Sequence, residues 1–506
     1  MKVDKNAPLT GEEKGCLNMQ NNNENKVRTR FAPSPTGYMH VGNLRTALYS
    51  FLLAKKHGGT FLIRIEDTDQ ERYVEGATEI IYKSLSAAGI VWDEGPGKGG
   101  EYGPYIQSER KGLYKEYAEK LVESGGAYLC FCGKQRLDEV RSKQKAAGIA
   151  PMYDGHCRDL SRDEISKKTA AGVSCVIRQK MPRAGTSSFI DSVFGEISVE
   201  NTALDDQILI KTDGMPTYNF ANVIDDHLMA ITHVVRGNEY LAQTPKYNLL
   251  YDSFGWKKPE YIHCPMIMSS AGKVLSKRDG SATFEELLEQ GFLPDAVINY
   301  IALLGWSPKG EREIYALDEL IGEFGVSGIS KSPAIFDIAK LRAINGEYIR
   351  AMDNEQFNRT ANEYIRKTCR REDIDMDLLS KMLKPRTETF AEIPEQVDFI
   401  DRLPDYNIEL YTHKKMKTNS ENSLVALQAM LPIFEKIDDW SFDSLHAAIF
   451  ALIEKLSVKN GLVLWPLRVA VSGKQFTPGG GPEIAALLGR DETISRIKTG
   501  IDKLSK

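Results

Sequence analysis

A strand, a helix and a second strand follow one another where the ordered part of the sequence is predicted to begin, and this unit restricts the possible folds most. Residues 27–31 form an extended run that meets two prolines, which end a strand. Residues 41–57 carry apolar side chains at three- and four-residue spacing, typical of an amphipathic helix, and Gly58 closes it. Residues 61–65 (FLIRI) follow as a buried strand. Such a unit predicts a parallel sheet in an α/β fold.

Composition narrows the classes of protein to which the chain can belong. At about 150 residues per domain, 506 residues predict three or four domains. Lys and Arg total 65 against 70 Asp and Glu, a net charge of −5, which excludes a generally basic nucleic-acid coat but permits local basic patches. The sequence has no run of 18 uncharged apolar residues, so we predict no membrane partner.

Cysteine usage and the N-terminal residues favour a cytoplasmic location. Seven cysteines in a chain of this length are too few for a disulfide framework, which indicates a reducing compartment. The first 26 residues include the Asn-rich stretch QNNNENK and lack the apolar run that a secretory signal requires. We therefore predict a disordered extension over residues 1–26.

Two separated segments have the chemistry to hold a nucleotide. His40 and Gly42 stand where the first strand passes into the first helix, and a helix N-terminus presents unpaired N–H groups to an anion. About 230 residues later, the stretch SSAGKVLSKRDGS carries Lys273, Lys277 and Arg278. Taken singly, the first segment suits a structural capping histidine and the second suits a solvated surface turn.

Together these segments resemble the two signatures of the class I aminoacyl-tRNA synthetases, and the chain is most similar to the bacterial glutamyl-tRNA synthetases. The similarity spans residues 27–506. The matching segments are RFAPSPTGYMHVGN, RIEDTD, WDEGP, YGPYIQSER, PTYNFANVIDDHLMAITHVVRGNEY, LSKRDG, PLRVAVSG and AALLG. Two positions depart from the class pattern: Asn43 stands where the class has His, and Val274 stands where it has Lys. Lys273 is the candidate substitute for that missing lysine.

The resemblance implies ATP-dependent ligation of L-glutamate to the 3′ end of its tRNA through a glutamyl-adenylate, with release of AMP and diphosphate. Mg²⁺ would accompany ATP. This chemistry needs no protein nucleophile, because phosphoryl-type transfer depends mainly on positioning and electrostatics. The implied catalytic residues are His40, Lys277 and Arg278, and Lys277 is expected to stabilise most of the transition-state charge. The implied ATP-binding residues are His40, Gly42, Asn43, Lys273, Ser276 and Lys277.

A pocket that selects glutamate needs two cations for the carboxylates and one anion for the ammonium group. Arg30, Glu66, Arg72 and Arg236 lie at the ends of predicted strands or in adjacent loops, where ligands bind in open α/β sheets. By the resemblance, Arg30 faces the side-chain carboxylate, Glu66 the ammonium group and Arg236 the backbone carboxylate. The resemblance adds Ala32, Ser34, Tyr218 and Asn222 to this pocket. Glutamine would leave the cation at residue 30 without a charged partner, at a cost of about 3–5 kcal/mol.

Three cysteines within 28 residues suit a structural Zn²⁺ site, which requires four tetrahedral ligands. The three are Cys130, Cys132 and Cys157. The candidates for the fourth ligand are Tyr153, Asp159 and His156, in that order, because some relatives use a tyrosine four residues before the last cysteine. The alternative is a set of three reduced thiols without metal.

The C-terminal part is predicted to be helical and, by the resemblance, to bind the anticodon. Helical periodicity is evident over residues 357–369, 423–437 and 442–456. Candidate readers in the KPRTETF segment are Lys384, Arg386 and Thr387. Arg386 is the preferred reader of the third anticodon base, since arginine can bind the edges of splayed single-stranded bases.

The predicted architecture is an α/β Rossmann-type parallel-sheet catalytic domain with an inserted α+β domain, followed by all-α anticodon-binding domains. The predicted ranges are 1–26 for the extension, 27–105 and 214–272 for the catalytic domain, 106–213 for the inserted acceptor-binding domain with the cysteines, 273–350 for a stem-contact region with the lysine loop, and 351–506 for the helical domains.

Several alternatives compete with a glutamyl-tRNA synthetase. A glutaminyl-tRNA synthetase shares both signatures, but its second half is expected to be β-barrel-like. A queuosine-directed relative is expected to lack that half. A non-catalytic synthetase-like tRNA-binding protein would not need His40, Lys277, Glu66 or Arg30. A non-discriminating enzyme that also charges the tRNA for glutamine stays open. The family expectation is a monomer that takes tRNA, ATP and L-glutamate as partners.

Overall fold

The structure, a computed structural model, describes residues 26–69, 74–275 and 283–506, and these divide into two units. The sheet unit comprises the described residues through Glu286 together with Val297–Asp337. The helical unit comprises Leu287–Ala296 together with Ile338–Lys506. The predicted extension, apart from Lys26, lies outside the described residues.

All strands of the described chain lie in the sheet unit, and most are short. They are β1 (Arg28–Phe31), β2 (Thr60–Ile63), β3 (Ala127–Cys130), β4 (Val176–Gln179), β5 (Thr186–Asp191), β6 (Gly195–Glu200), β7 (Ile208–Ile210), β8 (His233–Gly237), β9 (Glu260–Cys264), β10 (Ile267–Met268) and β11 (Ala334–Ile335). This unit also holds the first group of helices. They are α1 (Val41–Lys56), α2 (Ala77–Ala87), α3 (Lys111–Ser124), α4 (Lys134–Ala146), α5 (Arg162–Ala170), α6 (Tyr218–Leu228) and α7 (Thr244–Phe254).

The central sheet confirms the parallel arrangement that the first strand–helix–strand unit predicts. β1 pairs with β2 in parallel, and β8 pairs with β9 in parallel, with Arg236 opposite His263. Thr232, directly before β8, donates its backbone N–H to the carbonyl of Arg28 at 3.0 Å, which joins the two pairs. α1 crosses between β1 and β2, and it buries Leu44, Leu48 and Leu52 on its apolar face. The carboxyl ends of these strands therefore meet at one edge.

Part of the predicted inserted segment forms a separate sheet, and part of it joins the central sheet. β3, β4 and β7 form a separate antiparallel sheet. β5 and β6 form a hairpin within the predicted range 106–213, yet β5 pairs with β9 in parallel and extends the central sheet in the order β6-β5-β9-β8. This single parallel bridge, between Asp191 and Tyr261, joins residues 70 positions apart. No local sequence pattern predicts such a pairing.

The helical unit has one continuous apolar core. Three further helices involve the sheet unit: α8 (Phe284–Glu289) and α9 (Pro294–Leu303) are divided between the two units, and α10 (Leu317–Glu323) belongs to the sheet unit. The helices of the helical unit are α11 (Ile338–Ala351), α12 (Asn354–Ile365), α13 (Met376–Leu383), α14 (Ile393–Val397), α15 (Ser420–Phe434), α16 (Phe442–Lys455), α17 (Gly461–Ser472), α18 (Gly481–Leu488) and α19 (Arg490–Leu504). Three of them, α12, α15 and α16, correspond to the three segments with predicted helical periodicity. Phe357, Leu427 and Leu467 are fully buried in this core. Among the described helices, none is both long enough and apolar enough to cross a membrane.

Candidate active site

The first nucleotide signature lies at the start of α1, where His40 caps the helix. The backbone N–H of Gly42 donates to His40 Nδ1 at 3.1 Å, so Nε2 is the nitrogen that carries the proton. A Cβ on Gly42 would lie 3.2 Å from that Nδ1 and 3.9 Å from Ile267 Cδ1. Only glycine therefore leaves the imidazole uncrowded. Asn43 lies exposed in the first turn of α1, where helix N–H groups favour an anion.

The described residues on both sides of the second signature meet the first one. Leu275 donates its backbone N–H to Ile267, the residue that lies beside Gly42. On the other side, Thr283 forms an antiparallel bridge with His40. Lys273 lies exposed in the turn that precedes Leu275. Ser276, Lys277 and Arg278 lie outside the described residues. The chain thus enters and leaves the second signature beside the helix that begins at His40.

The residues predicted to bind glutamate gather at the carboxyl ends of the central strands. Arg30 lies on β1, Glu66 follows β2, and Arg236 lies on β8; all three are buried. Arg30 Nη1 donates to the carbonyl of Val235, the neighbour of Arg236, at 3.4 Å. The backbone N–H of Glu66 donates to the carbonyl of Pro33 at 2.9 Å, which places Glu66 beside the loop that holds Ala32 and Ser34. Arg72 lies outside the described residues.

Tyr218 and Asn222 lie on the first turns of α6 and complete this group. The rings of Tyr218 and Tyr240 are 5.8 Å apart, and the guanidinium of Arg236 lies 5.2 Å from the Tyr240 ring. Burial raises the pKa of Tyr218 well above its ordinary value, and the neighbouring Glu66 charge raises it further. The phenol therefore stays protonated and can donate a hydrogen bond.

A network of buried ion pairs holds the pocket charges, and we call it the charge network: Arg30, Arg64, Glu66, Arg110, Asp225 and Asp226. Asp226 accepts from Arg30 Nε at 3.0 Å and Nη2 at 3.2 Å, and it also accepts from Arg64 Nη1 at 2.8 Å. Arg64 Nη2 in turn donates to Glu66 at 2.8 Å. Asp225 accepts from Arg110 Nε at 2.7 Å. Asp226 of α6 thereby fixes Arg30 directly and Glu66 through Arg64, the cation and the anion that are predicted to bind the substrate.

Glu66 has an unusual proton affinity for a carboxylate. Burial raises its pKa to about 7, against the opposing effect of the Arg64 charge and hydrogen bond. Near neutral pH the group therefore exchanges between a neutral form and an anion. Only the anion can form an ion pair with an ammonium group.

The three predicted zinc ligands and the preferred fourth one lie close together at the end of β3. The sulfur atoms of Cys130, Cys132 and Cys157 all lie within 4.8 Å of one another. Tyr153 Oη lies 3.3 Å from Cys130 Sγ and 3.4 Å from Cys132 Sγ. Ligands at zinc–sulfur distances near 2.3 Å in a tetrahedron lie roughly 3.8 Å apart, so the donor set fits the ion. The nearby guanidinium of Arg178 lies 4.0 Å from the Tyr153 ring.

The other candidates for the fourth ligand face other partners. Asp159 is exposed and forms ion pairs with Lys180 at 3.7 Å and Arg183 at 3.9 Å. The backbone N–H of His156 donates to Asp154 at 3.3 Å, and no side-chain contact between His156 and the three cysteines is found in the described residues. The geometry thus favours Tyr153.

A cavity of about 380 Å³ in the helical unit surrounds Arg386, and we call it the arginine cavity. Its lining residues are Arg386, Gln396, Arg468, Phe476, Thr477 and Pro478. Arg386 Nη1 donates to the carbonyl oxygens of Thr477, at 3.0 Å, and Pro478. Burial and the charge of Arg386 both lower the pKa of Arg468, so two like charges share the cavity. Phe476 stands at its rim with 86% of its surface exposed.

The two other candidate anticodon readers, Thr387 and Lys384, bond to other parts of the protein. Thr387 is fully buried, and its hydroxyl donates to the carbonyl of Leu383 at 2.9 Å. Lys384 donates to Asn354 Oδ1 at 3.0 Å and to the carbonyl of Met352. Neither residue lines the arginine cavity.

Comparisons with known proteins agree with this geometry. The family described as "tRNA synthetases class I (E and Q), catalytic domain" matches residues 26–343, and "Anticodon binding domain" matches residues 347–501. A glutamate–tRNA ligase of Clostridium tetani is 58% identical over 95% of this chain and 99% of its own length. The chain belongs to the class I glutamate–tRNA ligases. A crystal structure of a glutamate tRNA ligase from Elizabethkingia meningosepticum, in complex with its amino acid, has 36% identity and a TM-score of 0.85 over 95% of this chain and all of that one.

Further relatives of this ligase family support the leading prediction over the alternatives. The ligase of Clostridium acetobutylicum is 57% identical over 95% of this chain and 99% of its own length. The match of an anticodon-binding domain to residues 347–501 also disagrees with the relative that is expected to lack the second half. The predicted family and fold class are confirmed.

Several residues of this ligase site were not predicted from the sequence, although signals were present. Arg64 and Glu66 are two positions apart at the end of a strand, so they share a face. Asp225 and Asp226 stand within the apolar helix α6, and carboxylates are seldom fully buried unless they are paired. Arg468 and Phe476 lie within or just after the matched segment PLRVAVSG, but nothing in the sequence places them beside Arg386.

Proposed function

We propose that this chain activates L-glutamate with ATP and transfers it to the 3′ end of tRNA. A carboxylate oxygen of glutamate attacks the α-phosphorus of ATP, pyrophosphate leaves, and a glutamyl-adenylate forms. A ribose hydroxyl of the terminal nucleotide then attacks the acyl carbon, and AMP leaves. The observation that carries the proposal is the gathering of Arg30, Glu66 and Arg236 at the sheet edge where α1 begins.

Each end of the amino acid would meet a different group. Arg236 would bind the backbone carboxylate, the Glu66 anion would bind the ammonium group, and Arg30 would bind the side-chain carboxylate. Asp226 occupies the Nε and Nη2 edge of Arg30, so a ligand would approach Nη1, which also donates to the carbonyl of Val235 at 3.4 Å. Because Arg30 is already paired with Asp226, glutamine would not leave it wholly unpaired. Discrimination by Arg30 alone should then fall below the 3–5 kcal/mol of an unpaired buried charge.

His40 and the helix N-terminus would bind the phosphates of ATP. The proton on His40 Nε2 makes this side chain a donor towards a phosphate oxygen. Lys277, the second lysine of the second signature, would stabilise the charge that develops on the phosphates. Mg²⁺ brought with ATP would neutralise part of the pyrophosphate charge.

The cysteine cluster would hold a structural Zn²⁺ through Cys130, Cys132, Cys157 and Tyr153. Zinc would stiffen the inserted segment, which we propose to bind the acceptor end of tRNA. Elemental analysis of protein purified without chelator should find about one zinc per chain, and Cys132→Ser should lose it, since removing one of four ligands severely weakens a closed site. Tyr153→Phe should also lose zinc, whereas the control Asp159→Ala should keep it. The reverse result for Tyr153 and Asp159 would contradict the ligand set.

The arginine cavity would read the anticodon. Arg386 and Arg468 would donate to base edges, and Phe476 would stack on a splayed base. Arg386 is proposed for the third anticodon base. The intervening segment 273–350 would contact the stem of the tRNA.

The activity test is pyrophosphate exchange into ATP, followed by aminoacylation of the two purified tRNAs that accept glutamate and glutamine. Glutamate should support exchange in the presence of tRNA, and glutamine should not. Charging of both tRNAs with glutamate would identify a non-discriminating enzyme. Binding of tRNA without exchange would instead identify a non-catalytic tRNA-binding protein and refute the proposal.

A further inference from the structure

Behind Arg236 lies a chain of hydrogen bonds that crosses three adjacent strands of the central sheet. Arg236 Nε, on β8, donates to His263 Nε2, on β9, at 3.1 Å. His263 Nδ1 is 2.6 Å from Asp191 Oδ2, on β5. His263 is fully buried, and Asp191 is 1% exposed. The three residues therefore form a continuous polar line inside an apolar sheet.

The partners of the His263 imidazole allow only one form of it. A guanidinium can only donate hydrogen bonds, so His263 Nε2 must be the accepting nitrogen. The proton then lies on Nδ1, which donates to the Asp191 carboxylate. Burial lowers the pKa of His263, and the nearby Arg236 charge lowers it further, which agrees with a neutral ring. Asp191 also accepts the backbone N–H groups of Val193 at 3.0 Å and Phe194 at 2.8 Å, so its own position is fixed.

Neutral partners hold Arg236, in contrast to the ion pair that holds Arg30. Arg236 Nη2 donates to the hydroxyl of Thr244 at 2.6 Å, and the Tyr247 ring lies 4.8 Å from its guanidinium. Within the described ranges 26–69, 74–275 and 283–506, no carboxylate forms an ion pair with Arg236. Its Nε and Nη2 edge is used for orientation, and its positive charge stays available to a carboxylate ligand.

We propose that His263 and Asp191 are positioning residues that orient Arg236 towards the backbone carboxylate of the amino acid without neutralising its charge. This inference rests on the proposed role of Arg236 in binding glutamate. A carboxylate in place of His263 would also orient an arginine, but it would compete with the substrate for the same charge. The neutral imidazole is held in place by Asp191 and in turn orients Arg236, and it leaves the positive charge of Arg236 without an ion-pair partner.

The test compares two substitutions of His263 that retain different ends of the ring. Gln reaches the place of Nε2 and can still accept from Arg236, whereas Asn reaches only the place of Nδ1 and keeps the bond to Asp191. His263→Asn should raise the KM for glutamate roughly ten- to hundredfold, because a hydrogen bond to a charged group is lost. His263→Gln keeps the acceptor for Arg236 but loses the bond to Asp191, so its KM for glutamate should rise by only about three- to tenfold. The kcat at saturating glutamate and the KM for ATP should change by less than about threefold in both variants, because binding of one substrate is affected.

His233→Asn is the matched control, since His233 lies on β8 of the same sheet but bonds to Thr232 and Glu260. It should leave the KM for glutamate unchanged. Thermal unfolding of all variants reports whether they fold. Should His263→Asn fail to fold, Asp191→Asn replaces it, with an expected rise of roughly three- to tenfold because the proton on His263 is no longer held at Nδ1.

A double substitution separates this inference from the proposed function. Arg236→Gln should raise the KM for glutamate, and adding His263→Asn should raise it no further, because His263 acts only through Arg236. If Arg236→Gln leaves that KM unchanged, the proposed binding role of Arg236 is wrong. If Arg236→Gln raises it but His263→Asn does not, or if the two effects multiply, the positioning role is overturned while the proposed function stands.

Discussion

The charge network and the arginine cavity are both built around arginines, but these arginines are held in opposite ways. In the sheet unit, Arg30 and Arg64 are held by the carboxylates of Asp226 and Glu66. In the helical unit, Arg386 is held by backbone carbonyls and shares its cavity with a second arginine. In the charge network, three arginines are paired with three carboxylates, and each charged group is fixed in position. Such a site can select a small ligand by the positions of the ligand's own charged groups. The arginine cavity has an excess of positive charge and donors, which suits the edges of nucleic-acid bases.

The largest effect should follow from removing the carboxylate that joins the charge network. Asp226→Asn would leave Arg30 and Arg64 without their shared anion, so we expect a loss of about 3–5 kcal/mol in the free energy of unfolding. Urea denaturation measures this, and the KM for glutamate should rise with it. Asp252→Asn removes an exposed partner of Lys258 and should change stability by less than about 1 kcal/mol. Equal effects of the two substitutions would show that the network is not the source of order in the pocket.

The matching experiment in the arginine cavity should leave the glutamate pocket untouched. Arg386→Gln should raise the KM for tRNA by roughly ten- to hundredfold, since charged hydrogen bonds to the RNA are lost. The KM for glutamate at saturating tRNA should stay constant. Arg350→Gln is the control, because Arg350 forms an exposed pair with Glu347 in the same unit. A change in the KM for glutamate without one in the KM for tRNA would refute the assignment of the cavity.

The pH dependence should separate the two sites. Because the pKa of Glu66 is raised to about 7, the carboxylate is protonated below that pH and cannot pair with the substrate ammonium group. Between pH 8 and pH 6, kcat/KM for glutamate should therefore fall by roughly tenfold as the pH decreases. Glu66→Gln should lower the activity and abolish this dependence. The KM for tRNA, measured over the same range, should not follow this titration.

The smallest effect should come from the rim of the arginine cavity. Phe476→Leu keeps an apolar side chain but removes the aromatic face, so the Kd for tRNA should rise by roughly fivefold, at the lower end of base-stacking energies. Filter binding of tRNA measures the change. Because this side chain is exposed, thermal unfolding should be unaffected. Phe476→Tyr keeps the ring and should behave as the parent protein does; a loss as large as that of Phe476→Leu would exclude stacking.

The sequence predicts the elements that depend on local patterns, and it misses contacts between distant parts of the chain. The apolar spacing after His40 predicts a helix that the structure gives as Val41–Lys56. Residues 227–237 are largely apolar, yet only His233–Gly237 is a strand, because α6 continues to Leu228. Motif resemblance names Arg30, Glu66 and Arg236. It does not name their partners Asp226, Arg64 and His263, because these partnerships depend on strand pairing and on a helix that lies more than 150 residues away from β1.

The sequence separation of the charge network has a consequence for the order in which the chain can fold during synthesis. The bond between Arg30 and Asp226 joins residues 196 positions apart, and that between Arg64 and Asp226 joins residues 162 apart. Until α6 has left the ribosome, the first two strands carry charged side chains whose burial would be costly. The N-terminal strands cannot reach their native packing alone. They must wait for the inserted segment and α6 to be translated, so the charge network can form only after nearly half of the 506-residue chain has been synthesised.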